Sequence, residues 1–174
     1  MRKTEINDSI YKLNLNDKNS VIIDDTGKSI ACFAVKENVA IDKNIIEELK
    51  NLSVKLGRKD IRICLHNYRD SKLHNMINLI YKKKGNIPHK HKDKSESYHI
   101  IEGRLILTIF GNTGKIIDEF LLDSKNNFLF RIGKNIFHTT VPDTDYVIFH
   151  ESRSGPFSEK SDSIFMDKKY YQPK

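Results

Sequence analysis

The sequence predicts an all-β fold, a sandwich or barrel of many short strands with one amphipathic helix ahead of them. Three observations predict it. After Gly57 the apolar residues recur at every second position, as in Ile61, Ile63 and Leu65. Strand-like runs follow at short, even spacing, at 61–66, 76–82, 97–102, 104–110, 115–122, 127–132, 136–141 and 146–151. Turn signals stand between them: Gly85-Asn86, Gly103, Gly111-Asn112, Gly114, Ser124 to Asn126 and Pro142-Asp143. A length of 174 residues suits one domain and is enough to bury a core without metal or disulfide.

The elements come in this order. Residues 1–20 are polar and without period, a loose arm or short edge element. Val21-Ile22-Ile23, Asp24 to Gly27 and Ile30 to Val35 read as a hairpin or as two short strands of the main sheet. Residues 42–57 read as a helix, with Asp42 or Asn44 as its cap and Glu47 three residues beyond Asn44. Ile45, Leu49, Leu52 and Leu56 form its apolar stripe, and Gly57 supplies a left-handed stop. The eight strand-like runs complete the chain.

The formal net charge is +7, from 30 basic and 23 acidic residues. Lys supplies 23 of the 30, and Asn (15) and Ile (23) are abundant beside it. That trio points to compositional drift and a solvated lysine surface. A nucleic-acid footprint would favour Arg, whose planar fork reads phosphate and guanine. No nucleic-acid partner is expected. Cys32 and Cys64 make no metal-ligand spacing and are expected as reduced thiols. No apolar run reaches membrane-spanning length, and the residues after Met1 lack a signal-peptide core, so a cytoplasmic protein without membrane insertion is expected.

The chemistry concentrates between Gly85 and Gly103. His89 and His91 lie two apart on an extended stretch, so both imidazoles face one side. A polar Lys-Asp-Lys-Ser turn then lets the next strand return Glu96 toward them. Two imidazoles and a carboxylate suit one divalent transition metal, with Fe, Mn, Ni, Co, Cu and Zn all compatible. His138, after the turn at Gly133 to Asn135, is available as a fourth ligand.

These residues resemble the first motif of the cupin superfamily, G-x5-H-x-H-x3,4-E-x6-G. His89, His91, Glu96 and Gly103 match it without a gap, while Gly85 stands three residues before His89 in place of five. His138 matches the histidine of the second cupin motif, with Asn127, Gly133, Asn135 and Pro142 at its Gly, Pro, Gly and Asn positions. After glycine, Asn is the residue that best tolerates a left-handed turn, so Asn135 can serve where the motif has its second glycine. The run Arg62 to His66, Asp70 to Leu73, Met76, Pro88 to His91, Phe137 to Thr139 and Glu151 to Phe157 is similar to the WbuC-type cupin metalloproteins of bacterial O-antigen and surface-polysaccharide gene clusters. The resemblance spans about residues 40–170. It implies a cupin double-stranded β-helix (jelly roll) at 40–174 with its leading helix, a metal held by three histidines and a carboxylate, and a link to carbohydrate metabolism. Residues 1–39 lie outside it and are expected as an N-terminal extension, an arm plus hairpin.

Further pocket residues follow from strand parity. Arg62 and His66 share a face and could hold an anionic or hydroxylated substrate. Tyr98 has the parity of Glu96, and Glu151 and Arg153 share parity on the last strand. Glu151 and Tyr98 are the candidates for moving a proton, and Arg62, His66 and Arg153 for contacting substrate. His99 and His150 fall on the opposite face, and His74 reads as structural or exposed. Lys82, Lys83, Lys84, Lys90, Lys92 and Lys94 flank the motif and would draw a phosphorylated or nucleotide-linked sugar to it. The expected activity is isomerisation or epimerisation of a sugar or sugar nucleotide, in a homodimer. The alternatives are an Fe(II)-dependent oxygenase and a non-catalytic sugar-binding or regulatory protein.

Overall fold

The computed structural model describes residues 11–83, 87–158 and 162–171. Residues 1–10 of the expected arm, the Gly85-Asn86 turn and Lys84 lie outside the described residues, while Leu13 and Leu15 in the arm's second half are not loose but buried in the core. Twelve strands are described: β1 (Val21–Asp24), β2 (Ile30–Ala34), β3 (Ile61–Cys64), β4 (Leu73–Tyr81), β5 (His89–Lys90), β6 (Glu96–Glu102), β7 (Arg104–Phe110), β8 (Ile116–Asp123), β9 (Leu129–Ile132), β10 (Phe137–Pro142), β11 (Tyr146–Ser154) and β12 (Ile164–Phe165). Helix α1 (Lys43–Lys55) lies between β2 and β3.

The strands form a seven-stranded sheet, ordered β1-β2-β3-β4-β11-β6-β9, and a five-stranded sheet, ordered β12-β5-β10-β7-β8. The eight strands β4 to β11 divide four and four between them, which is the jelly-roll arrangement. β1 to β3 extend one sheet and β12 extends the other. The β1–β2 hairpin is antiparallel and is also continuous with the main sheet, so the two readings of that segment coincide. β2 and β3 pair in parallel, as a connection through α1 requires.

Helix α1 forms where the sequence places it. Asp42 is the cap, and its Oδ1 accepts from the Ile45 N–H at 2.9 Å. Ile45 and Leu49 are buried, whereas Leu56 is the exposed C-cap and Leu52 only partly covered. Ile46 and Ser53 take the remaining buried positions, because the helix lies flat on the outer face of the seven-stranded sheet. Ser53 is satisfied there: its Oγ donates to the Lys59 carbonyl at 2.7 Å and stands 3.0 Å from the Tyr81 hydroxyl. Gly57 (φ 82°) and Arg58 (φ 58°) both adopt the left-handed conformation that ends the helix.

Two large apolar cores and two smaller clusters result among the described residues. One lies between α1 and the outer face, built from Ile45, Leu49, Ile61, Ile63, Leu79 and Ile148 among others. The second fills the barrel, where Ile100, Val147 and Phe149 of one sheet meet Leu105, Leu107 and Leu122 of the other. Both cysteines are buried and free, and burial pushes their thiols up to about 12 (Cys32) and about 11 (Cys64).

Two strands run further than the alternation suggests. β4 begins at Leu73 and β11 continues to Ser154 because the two pair along their whole length, Leu73 opposite Ser154. β5 and β12 are two residues each, too short to carry a period. Gly103 closes the β6–β7 turn at φ 81°, and a Cβ there would stand 2.6 Å from the Tyr146 carbonyl oxygen. Only glycine fits that turn.

Candidate metal centre

The register of the strands assembles the site. His89 on β5 lies directly opposite His138 on β10, in the five-stranded sheet. Glu96 opens β6 in the facing sheet, and His91 sits in the loop that crosses from one sheet to the other. One ligand atom from each of His89, His91, Glu96 and His138 lies within 4.8 Å of the others. Around an ion with bonds of about 2.1 Å, ligand atoms stand up to about 4.2 Å apart. The four side chains are therefore close to a ready-made coordination shell.

The tautomers favour this. His138 Nδ1 donates to the Ile136 carbonyl at 2.9 Å, and His91 Nδ1 donates to the Asp162 carbonyl. A carbonyl only accepts, so each ring carries its proton on Nδ1 and aims the Nε2 lone pair inward. His138 Nε2 stands 2.7 Å from Glu96 Oε1, yet both atoms are buried without a hydrogen-bond partner. His91 Nε2 faces Glu96 Oε2 at 3.4 Å. Lone pairs converging in a buried space fit a cation placed among them, and three imidazoles with one carboxylate suit a divalent transition metal.

Electrostatics agree with that fit. Burial drives His89 down to about 3, with His138 beside it adding to the effect, so the ring is neutral. Burial alone would raise Glu96, but His138 and His91 outweigh it and hold the carboxyl well below the usual range. His91 is the opposite case: burial pulls it down and the Glu96 carboxylate lifts it above its ordinary value. Asn135, at φ 62°, makes the turn before β10, and its N–H donates to the His91 carbonyl at 2.6 Å.

The other predicted residues line the barrel-facing side of the seven-stranded sheet. Tyr98 lies opposite Glu151, and Glu96 opposite Arg153. Asn78 Nδ2 donates to Glu151 Oε2 at 3.2 Å, and Arg153 Nε stands 3.5 Å from Glu151 Oε1. Burial, then the Glu96 carboxylate, push Glu151 above the ordinary carboxyl range, although Arg153 and Arg62 pull the other way. Tyr98 is buried against Phe149, and burial with Glu96 nearby keeps its phenol protonated well above the ordinary tyrosine range. Arg62 occupies the same side of β3, beside Cys64. His99 and His150 lie opposite each other on the outer side.

His66 lies just past the end of β3 and stacks on His74, with ring centroids 4.1 Å apart and planes at 17°. Burial, then His74, lower His66 to about 4. His74 is itself only 3% exposed and sits opposite Arg153. It is thus structural, at the rim of the same polar face.

Asp162 was not among the residues expected from the sequence. Its carbonyl holds His91, while its carboxylate binds Arg153 Nη1 at 2.7 Å and pairs with Lys94. The one available signal was an acid in the polar run before Ile164, which also holds Glu159. The lysine collar is also less free than expected. Lys83 pairs with Asp60, Lys90 lies over the Phe137 ring, and Lys82 donates to the Asp143 carbonyl. A cleft of about 420 Å³ opens beside His89 and is lined in part by Lys28, Lys83, Thr140 and Phe165.

Comparison with known proteins agrees with the geometry. The profile of a domain of unknown function (DUF6016) matches residues 41–122. No curated protein matches the sequence. Among solved structures, CapF with the inhibitor 3-isopropenyl-tropolone aligns with a TM-score of 0.51 at 16% identity, covering 61% of this chain and 31% of that one. The capsular polysaccharide assembling protein CapF from Staphylococcus aureus aligns at 0.50 and 14% identity, again covering 61% and 31%. The chain thus spans under a third of the length of those relatives. Oxalate decarboxylase from Bacillus subtilis aligns at 0.48 and 14% identity, covering 62% and 28%.

The fold is that of a cupin, an all-β jelly roll with its histidines and glutamate gathered at a candidate metal centre. No helix among the described residues is long and apolar enough to cross a membrane.

Proposed function

We propose that this chain is a metal-dependent cupin enzyme, WbuC-like, that isomerises or epimerises a sugar or sugar nucleotide in the synthesis of a bacterial surface polysaccharide. One observation carries the reading. On the wall beside the three histidines and Glu96, a buried carboxyl with raised proton affinity, Glu151, lies directly opposite Tyr98. Such a carboxyl can move a proton next to a carbonyl while a protonated phenol donates a hydrogen bond to the oxygen. The description of CapF as a capsular polysaccharide assembling protein supports the substrate class.

His89, His91, Glu96 and His138 would hold the ion. A divalent ion there supplies Lewis acidity, which polarises a substrate oxygen and acidifies the adjacent C–H bond. Glu151 takes or returns the carbon-bound proton, and Asn78 and Arg153 fix its carboxyl in place. Tyr98 remains protonated throughout and donates a hydrogen bond to the reacting oxygen. Arg62, His66 and Arg153 position the rest of the substrate. The reading includes a cytoplasmic homodimer in which residues 1–39 are an addition to a cupin domain at 40–174.

The test is metal analysis together with mass spectrometry of UDP- and dTDP-hexoses incubated with the protein in deuterated water. The expected result is an isomerised product carrying solvent deuterium. His138→Ala should lose bound metal and product together. Glu151→Gln should keep the metal and lose the product. Full activity after chelation, or oxygen consumption without deuterium uptake, would reject the isomerase.

A further inference from the structure

Among the described residues, the buried side-chain atoms without a hydrogen-bond partner are Arg62 Nε, His74 Nε2, Glu96 Oε1, His138 Nε2 and Arg153 Nε. Such atoms are costly and each calls for a reason. The candidate metal centre accounts for Glu96 and His138. His74 Nε2 is pressed against the backbone of Gly155, where an added Cβ would lie 2.7 Å away. That leaves two guanidinium Nε–H groups on the barrel-facing side of one sheet. Arg153's stands 3.5 Å from Glu151 Oε1, too long for a hydrogen bond of good geometry, and Arg62's faces no carboxylate in ion-pair range among the described residues.

Register fixes where they stand. Arg62 on β3 is opposite Asn78 on β4, and Asn78 reaches Glu151 on β11. Arg153 is two residues beyond Glu151 on the same strand and the same face, opposite the candidate ligand Glu96. The two arginines therefore flank Glu151, and Arg153 is one strand spacing, about 4.8 Å, from the metal-ligand row. Arg153 has Asp162 as a partner for Nη1. Arg62 forms no ion pair among the described residues and feels Glu151 only at longer range.

The charges point the same way. Arg62, Arg153 and Lys94 face two carboxylates, Glu151 and Asp162. A divalent ion held by the single carboxylate Glu96 adds a further net positive charge. The floor of the barrel is then short of about two negative charges, and arginine's planar fork is the donor that best matches an oxyanion.

We infer that the ligand of this site carries an oxyanion, a carboxylate or a phosphate, seated between Arg62 and Arg153 over Glu151 and within one strand spacing of the metal-ligand row. The inference rests on the reading of this face as the substrate pocket, and it makes the substrate an acidic or phosphorylated sugar.

Calorimetric titration at low salt tests it, with D-glucuronate, D-glucose 6-phosphate and D-glucose as probes. At least one anionic probe should bind roughly tenfold or more tightly than glucose, the size of one charge-assisted hydrogen bond. Which of the two does so separates carboxylate from phosphate. Arg62→Gln should abolish that advantage, and Arg62→Lys should retain part of it, which guards against a misfolded variant. Equal binding of all three probes, or an advantage that survives in Arg62→Gln, overturns the inference. The titrations are repeated on chelated protein with metal content measured. Persistence of an Arg62-dependent preference in a protein that never binds metal would reject the metal reading and leave this one standing. Bound metal without any anion preference would do the reverse.

Discussion

The two faces of the seven-stranded sheet are made from alternate residues of the same strands, and they differ in almost every physical respect. The outer face presents Ile61, Ile63, Ile77, Leu79 and Ile148 to α1, whose buried Ser53 is hydrogen-bonded to the Lys59 carbonyl. The inner face presents Arg62, Asn78, Glu96, Glu151 and Arg153 within a barrel, with donors and acceptors left open. Buried polar groups that lack partners cost stability, and buried apolar groups supply it. The outer face thus serves packing, whereas the inner face combines the barrel core of Ile100, Val147 and Phe149 with the polar groups of the site. A single strand, β11, does both: Ile148 packs outward, while Glu151 and Arg153 point in.

The largest expected effect breaks the outer face. Leu49 is fully buried between α1 and the sheet. Leu49→Ala should cost about 2–5 kcal/mol in urea unfolding, through lost transfer energy and the cavity left behind. Metal content of the fraction still folded should stay unchanged. A loss of metal in fully folded protein would show that the two faces are coupled rather than separate.

Much of this division was legible in the sequence, because it is a matter of parity. Alternation after Gly57 places Arg62, Glu96, Tyr98, Glu151 and Arg153 on one side and Ile61, Ile63 and His150 on the other. Spacing likewise brings His89, His91 and Glu96 together, and the left-handed turn at Asn135 precedes His138. Contacts made by unpatterned segments were not legible. Asp162 reaches His91 across a separation of 71 residues, from a stretch with no period. β12 is held by its pairing with β5, by the packing of Phe165 against His89 and by Lys28 over the Phe165 ring. The stacking of His74 on His66 depends on β4 starting at Leu73, which follows from the length of β11 and not from β4's own residues.

An intermediate effect sharpens the comparison through pH. Burial and the neighbouring His74 lower His66 from 6.5 to about 4 in the folded protein. Between these values the unfolded chain binds more protons than the native one at this position. The contribution of His66 to stability is therefore complete above pH 6.5 and is lost as pH falls toward 4. On the outer face His150 is lowered too, by burial and then by His99, and adds a slope of the same sign. Denaturant midpoints of chelated protein should fall from about pH 7 to about pH 4, and His66→Asn should be less steep over that interval. Equal slopes for the two proteins would mean that His66 titrates normally and is not enclosed.

The smallest effect is expected at the junction of the two sheets. Asn135 is neither core nor ligand, but its φ of 62° turns the chain from β9 into β10, and its N–H holds the His91 carbonyl. Asn135→Ala keeps that N–H and removes only the side chain that makes the left-handed conformation tolerable. The cost is about 1 kcal/mol, whereas Asn135→Gly should be neutral or slightly stabilising. Both variants should retain metal, because the backbone bond to His91 and the Nδ1 bond of His138 to Ile136 survive them. Metal loss in Asn135→Ala but not in Asn135→Gly would show instead that strain in this turn reaches the ligands. The centre would then depend on the loop that joins the sheets as much as on the strands that carry its side chains.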